Sequence, residues 1–108
     1  MEPLSRITAA TVDVLRSLHT EGPDTWGLRI VKATGRPAGT VYPILERLER
    51  SGWVESTWEP GGVRPGPRRR LYRLTVPGAA AAVDLITEQP GERWRPAVDL
   101  ASAPGSLA

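Results

Sequence analysis

Arginines grouped in one short segment are the residues with the most evident chemistry in this chain of 108 residues. Between Pro60 and Thr75 there are five arginines and no carboxylate. The planar guanidinium fork matches phosphate oxygens and guanine edges, so the segment is typical of a surface that binds a polyanion. With no acid in the segment, we expect the charge to stay uncompensated. The candidate contacts are Arg64, Arg68 and Arg69. A solvated hairpin tip, or arginine use that reflects genomic GC content, is the alternative explanation.

A predicted β-hairpin carries these arginines. The stretches from Trp53 to Glu59 and from Arg69 to Thr75 alternate as strands do, and the Pro- and Gly-rich residues between them cannot form regular structure. Tyr72 is expected to be a core residue of the return strand rather than a DNA contact.

A predicted amphipathic helix leads directly into the hairpin. Its apolar residues follow the i, i+3, i+4, i+7 spacing of one buried stripe: Val41, Ile44, Leu45 and Leu48. Small residues at its start would allow close approach to DNA, and the Tyr42 hydroxyl could donate to a base or a phosphate, although surface packing is an alternative for that ring. The candidate DNA contacts on this helix are Ala38, Gly39, Thr40, Tyr42, Pro43 and Arg47. We expect Thr40 near the N-cap and Pro43 in the first turn, because a proline farther along clashes with a carbonyl one turn back.

Three other helices are predicted around this unit. Ile7 to about Leu18 has helical spacing, and a second helix begins after Asp24 or Thr25 and ends at Gly35. A fourth helix, with Thr75 as its cap, follows the hairpin. The order predicts a mainly α fold with a small β-hairpin, a winged helix-turn-helix with a three-helix core, a wing and a C-terminal dimerisation helix. We expect a DNA-binding domain over residues 1–90, with the dimerisation helix from about residue 76, and a short, partly irregular tail over 91–108.

Composition argues against several other classes of function. The chain has no cysteine and one histidine, and it lacks a Gly-rich phosphate loop opening a helix. We therefore expect no metal site, no cofactor and no catalytic nucleophile–base pair, so the chain is not expected to be an enzyme. No apolar run is long enough to span a bilayer and the N-terminus lacks a secretion signal. These features predict a cytoplasmic protein that does not bind membranes.

Two segments resemble the PadR family of transcriptional regulators. The run from Gly39 to Ser56 is similar to that family's recognition-helix segment, and the run from Gly66 to Thr75 resembles its wing strand. The aromatic residue and glycine at Trp26–Gly27 resemble the start of its second helix. The resemblance implies a homodimeric repressor that binds an inverted repeat and releases it on sensing a small molecule or stress. Carried over by position, Thr40 and Tyr42 would be recognition-helix contacts, and Arg68 and Arg69 would belong to the wing.

The chain departs from the family's pattern in two places. Pro37–Ala38 stands where the family usually has a polar pair ahead of Gly-Thr, and Pro90–Gly91 leaves no room for the long C-terminal helices of larger members. A dimer would therefore use the first and fourth helices. The candidate dimerisation residues are Ile7, Val14, Ala79, Ala82, Val83 and Ile86.

Some family members bind flat aromatic effectors at the dimer interface. Trp94, just past the fourth helix, could stack on such a ligand, or it could pack back on its own domain. The competing function is that of a winged-helix module for protein–protein contact without specific DNA binding. Such a module would have no need of a wing that lacks acids.

Overall fold

The computed structural model describes residues 1–4, 6–62 and 64–88. Its helices are α1 (Ala9–Glu21), α2 (Gly27–Thr34), α3 (Ala38–Arg50) and α4 (Val76–Glu88). Its strands are β1 (Thr25–Trp26), β2 (Val54–Trp58) and β3 (Arg70–Leu74). The prediction of a mainly helical winged helix-turn-helix is confirmed. None of the helices in these residues has the length and apolar character needed to cross a bilayer.

The sheet has three antiparallel strands in the order β1-β3-β2, where a two-stranded hairpin was predicted. Tyr72 in the central strand pairs with Thr25 on one side and with Ser56 on the other. The additional strand has two residues, which is too short to produce a visible alternation in sequence. Tyr72 is 8% exposed, which confirms it as a core residue, and its burial raises the pKa of its hydroxyl.

The starts of α2 and α3 differ from the prediction. Trp26, in an extended conformation, is the N-cap of α2 and makes no side-chain capping bond, whereas Asp24 has φ 67° and lies outside the helix. Pro37 is the N-cap of α3, three residues before Thr40, so Pro43 lies beyond the first turn and inside the helix. A proline there cannot donate to the carbonyl of Gly39. Both helices therefore begin without a capping side chain.

The core lies where the three N-terminal helices meet. The predicted stripe of Val41, Ile44, Leu45 and Leu48 is buried, which confirms the amphipathic pattern of α3. It joins Val14, Leu15 and Leu18 of α1 in one apolar cluster. Ala82 of α4 belongs to the same cluster, so the fourth helix packs on the domain itself.

Thr75 fixes the start of α4 against the end of α3. Its hydroxyl accepts a hydrogen bond from the Gly78 amide at 3.0 Å and donates to the Gly52 carbonyl at 2.8 Å, which confirms the predicted cap. Gly78 lies so close to Trp53 that a Cβ there would overlap the Trp53 carbonyl oxygen. The close approach of these two backbones therefore requires glycine.

Replacing Gly78 with alanine is expected to destabilise the fold by about 1–3 kcal/mol, because the added methyl forces α4 away from the Trp53 carbonyl. The free energy of unfolding in urea measures this. Gly39→Ala is the matched control, since a Cβ at Gly39 meets open space near the start of α3. The control should gain up to about 1 kcal/mol from helix propensity. Equal stability of the Gly78→Ala protein and wild type would contradict the packing argument.

Candidate nucleic-acid interface

One surface groove brings α3 and the wing together. The wing is defined here as β2, β3 and the residues between them. The groove, with a volume of about 350 Å³, lies between Trp26 and Gly27 at the start of α2, Tyr42 on α3, and Arg68 and Arg69 on the wing. An aromatic ring from the helix and guanidinium groups from the wing therefore face the same space.

Tyr42 reaches this groove because residue 27 has no side chain. A Cβ built on Gly27 would overlap the Tyr42 ring, so the phenol lies directly against the start of α2. The residue still exposes 41% of its surface. Tyr42 thus packs on the second helix and presents part of its ring to the solvent side of the groove.

The Arg69 guanidinium stacks on the Trp26 ring, with its central carbon 4.0 Å from the ring centroid. A stacked guanidinium uses its flat face and keeps its N–H donors at the edge, in the plane that matches a phosphate. The Arg29 guanidinium is 5.6 Å from the same centroid. Trp26 therefore orients a wing arginine, a role that its position in the sequence does not reveal because the two partners are far apart along the chain.

Acids from outside the arginine-rich segment compensate much of its charge, contrary to the expectation from sequence. Strand pairing and the packing of α3 bring carboxylates to three of the five arginines: Arg64–Glu59 at 2.8 Å, Arg70–Glu49 at 3.5 Å and Arg73–Glu55 at 2.9 Å. These partners lie outside the segment, so its own sequence does not reveal them. In the described part of the chain, Arg68 and Arg69 are the wing arginines without an ion pair.

Arg64, a predicted DNA contact, is engaged within the wing itself. Besides the ion pair with Glu59, its guanidinium donates to the carbonyl oxygens of Pro65 at 3.1 Å and Pro67 at 3.0 Å. Its side chain is 28% exposed. These bonds indicate that Arg64 stabilises the conformation of the wing loop.

Glu59 closes the base of the wing. Its carboxylate accepts from the backbone N–H of Arg69 at 2.9 Å, and its own amide donates to the Arg69 carbonyl at 2.9 Å. The hydrogen bond from the Arg69 amide is the main cause that lowers the Glu59 pKa from its ordinary value of 4.5. Burial raises this pKa by less than the hydrogen bond lowers it. The positive charges of Arg64 and Arg69 lower it further. The ionised carboxylate thus holds the loop that carries Arg68.

The remaining predicted contacts lie along α3. Ala38, Gly39 and Pro43 are exposed, whereas Thr40 and Arg47 are half-buried. Tyr42 is the member of this set that lines the groove. Their contact with DNA remains a prediction.

The predicted dimerisation residues divide into two groups. Val14 and Ala82 are fully buried in the core of the protomer, so neither has side-chain surface to offer a second chain, and their assignment to an interface was wrong. The helical spacing of both residues fits an intramolecular contact between α1 and α4 equally well. Ile7 and Val83 are 37% and 45% exposed and remain available. Ala79 and Ile86 are half-buried.

Trp94, the candidate ligand residue, lies outside the described residues. Within the described ranges, no group of three or more histidine, aspartate or glutamate residues could hold a metal ion.

Glu59→Gln is expected to destabilise the protein at pH 7 and to leave it unchanged in strong acid. Because the folded pKa of Glu59 lies below its ordinary value of 4.5, its stabilisation is complete above that pH and is lost as the pH falls through the folded pKa. Denaturation midpoints of both proteins between pH 7 and pH 2 measure the difference. Glu55→Gln, which breaks an exposed ion pair, is the control and should change stability little at any pH. A difference between Glu59→Gln and wild type that persists in strong acid would refute this role.

Comparison with known proteins identifies the family. The model of the transcriptional regulator PadR-like family matches residues 14–83. A putative DNA-binding protein of Ralstonia eutropha is 26% identical, with 74% of this chain and 98% of that chain covered and a TM-score of 0.58.

Two further solved structures share the fold. A PadR-like transcription factor from Bacteroides fragilis is 23% identical, with 91% and 88% of the two chains covered and a TM-score of 0.59. BpsR of Bordetella bronchiseptica, whose DNA binding is regulated by 6-hydroxynicotinic acid, is 24% identical, with 95% and 74% covered and a TM-score of 0.64. No curated protein matches the sequence. With the family model spanning well over half of its length, this chain belongs to the PadR-like family of transcriptional regulators.

Proposed function

We propose that this DNA-binding regulator is a homodimeric repressor that binds an inverted-repeat operator. The observation that carries the proposal is the groove in which Tyr42 of α3 meets Arg68 and Arg69 of the wing. A helix and a basic hairpin that face the same space can engage one duplex together.

The recognition helix is α3, and it enters the major groove with its N-terminal residues toward the bases. Exposed Ala38 and Gly39 carry almost no side chain, so the backbone can approach the base edges closely. Tyr42 and Thr40 follow within the next turn and supply hydroxyl groups for hydrogen bonds. Sequence discrimination therefore depends on a few small and polar residues rather than on arginines.

The wing supplies phosphate contacts. Arg68 and Arg69 keep their charge available, whereas Arg64, Arg70 and Arg73 have carboxylate partners. Each neutralised phosphate contributes about 0.9 to the slope of log affinity against log salt. A dimer with two available arginines per wing thus gains about 3.6 from its wings. This contribution is smaller than five uncompensated arginines per wing would supply.

The dimer forms through the outer face of α4 and the residues that precede α1. Val83 and Ile7 are exposed apolar residues on these two elements, and Ala80, about one turn before Val83 on α4, is small and exposed. A two-fold arrangement would place the recognition helices about 34 Å apart, which is one turn of duplex. The same symmetry accounts for an inverted-repeat operator.

Release from DNA would follow binding of a small aromatic effector. BpsR, which shares the fold, provides a precedent through its regulation by 6-hydroxynicotinic acid. We assign the stacking role to Trp94, whose indole is the aromatic group just past α4 in the sequence.

Arg68→Ala is expected to weaken binding to operator and random duplex by similar factors and to lower the salt slope of a dimer by about 1.8. The reason is that Arg68 contacts phosphate, which carries no sequence information. Arg73→Ala is the matched control, because Arg73 lies on the same hairpin but pairs with Glu55 at 2.9 Å. Its salt slope should equal that of wild type. Negligible binding of wild type to random duplex at low salt would instead favour a protein-interaction module.

Val83→Asp is expected to raise the dimer dissociation constant about a hundredfold, since a charge would be buried at the interface. Sedimentation equilibrium at micromolar concentration measures the change. Thr57→Asp, which places the same charge at an exposed position on β2, is the control and should remain dimeric. A wild-type protein that stays monomeric with and without operator, or a dimeric Val83→Asp variant, would refute the α4 interface.

A further inference from the structure

A buried ion pair joins α1 to the turn that precedes the recognition helix. Asp13 of α1 is 0% exposed, and its carboxylate accepts from the Arg36 Nε at 2.9 Å. The Arg36 side chain is 18% exposed and belongs to the turn between α2 and α3. The Arg16 guanidinium lies 4.0 Å from the other oxygen of Asp13. Two arginines therefore face one buried carboxylate at the base of this turn.

The start of α3 has little local stabilisation of its own. Its N-cap, Pro37, makes no side-chain hydrogen bond. Gly39 follows within the first turn, and glycine costs about 1 kcal/mol relative to alanine inside a helix. Pro43 removes the amide that would otherwise donate to the Gly39 carbonyl. The turn of the helix that faces DNA must therefore be held from outside.

Arg36 is placed to hold it. The Arg36 amide donates to the Thr34 hydroxyl at 3.2 Å, and that hydroxyl donates to the Ile30 carbonyl at 2.8 Å, so its backbone is tied to the end of α2. Its side chain is tied to Asp13 of α1. The next residue is Pro37, whose carbonyl accepts from the amides of Thr40 and Val41 at 2.9 and 3.0 Å. The position of Arg36 thus sets the position of the first turn of α3.

We propose that Arg36, held by Asp13, is a positioning residue that fixes the start of the recognition helix and thereby determines how well the protein discriminates its operator from other DNA. An apolar pair of similar volume often stabilises a fold as well as a buried ion pair does. The ion pair adds a fixed geometry, because the hydrogen-bonded guanidinium holds the turn in one position. This inference rests on the proposed function, in which the start of α3 reads the bases.

The test compares affinity for selected and for random DNA. Wild-type protein is first used to select binding sequences from a pool of random duplexes, and dissociation constants are then measured on a selected and on a random duplex. The variants are Asp13→Asn, Arg36→Gln and the double variant. Glu55→Gln is the matched control, because it breaks an exposed pair of the same 2.9 Å length that lies on the wing rather than at the start of α3.

Arg36→Gln and Asp13→Asn should each weaken binding to the selected duplex at least about tenfold, the order of losing one base contact. Binding to the random duplex should change less than about twofold, because the wing contacts phosphate independently. The double variant should lose no more than Asp13→Asn alone, since both single variants break the same Asp13–Arg36 interaction. Amide exchange of residues 39–42 should accelerate in all three variants and stay unchanged in Glu55→Gln.

Equal losses on both duplexes, with a reduced salt slope, would overturn the inference by showing that Arg36 contacts phosphate directly. Unchanged affinity of Arg36→Gln for the selected duplex would overturn it as well. If Asp13→Asn fails to fold, Arg36→Gln and Arg36→Lys serve as the test instead. Lysine is then expected to restore part of the affinity for the selected duplex that glutamine loses. If wild type selects no sequence, the proposed function fails, and the exchange rates still show whether Arg36 holds the start of α3.

Discussion

Pairing of β3 with strands on both of its sides is the constraint on which the rest of the structure depends. The central strand joins β2, which follows α3, to the two residues of β1, which precede α2. The wing is consequently hydrogen-bonded to the first part of the chain as well as to the residues next to it. Without the register that sets Trp26 opposite Leu71, the indole would not lie beside Arg69. The groove exists because this sheet brings distant segments to one face.

The same sheet decides how much of the wing's charge is left without a carboxylate partner. Antiparallel pairing sets Glu55 opposite Arg73, and the packing of α3 beside β2 brings Glu49 within reach of Arg70. Surface ion pairs of this kind contribute little to stability. In the proposed contact with DNA their effect is larger, because a guanidinium with a carboxylate partner must give up that partner before it can neutralise a phosphate. The wing thus presents less uncompensated positive charge than its composition indicates.

Stability and recognition are distributed differently over the molecule. The buried stripe of α3 anchors the helix in the core, yet its first turn contains glycine and is followed by Pro43, and it begins without a capping side chain. Small residues there leave the backbone accessible at the cost of local helix stability. An anchor outside the helix resolves this conflict, and the buried pair of Asp13 and Arg36 is placed to act as one. The first turn of α3 can therefore be locally weak and still be well positioned.

The spacing of apolar residues and the positions of the helix-ending and capping residues were sufficient to predict the fold class. The spacing of Val41, Ile44, Leu45 and Leu48 specifies a helix with one buried face, Gly35 ends α2 with φ 72°, and Thr75 caps α4, because each of these depends only on neighbouring residues. The wing arginines and the tyrosine of α3 were also identifiable as candidate contacts from their types and order.

Only the tertiary structure shows which of those candidate residues lie together and which arginines already have carboxylate partners. The strand at Trp26, the burial of Val14 and Ala82, and the pairing of Arg64 with Glu59 all depend on chain segments that approach through space. Helical spacing shows that a residue lies on an apolar face, but it does not show whether that face is covered by the same chain or by a partner. Charge counts show how many arginines a segment carries, and only the fold shows where their carboxylate partners come from.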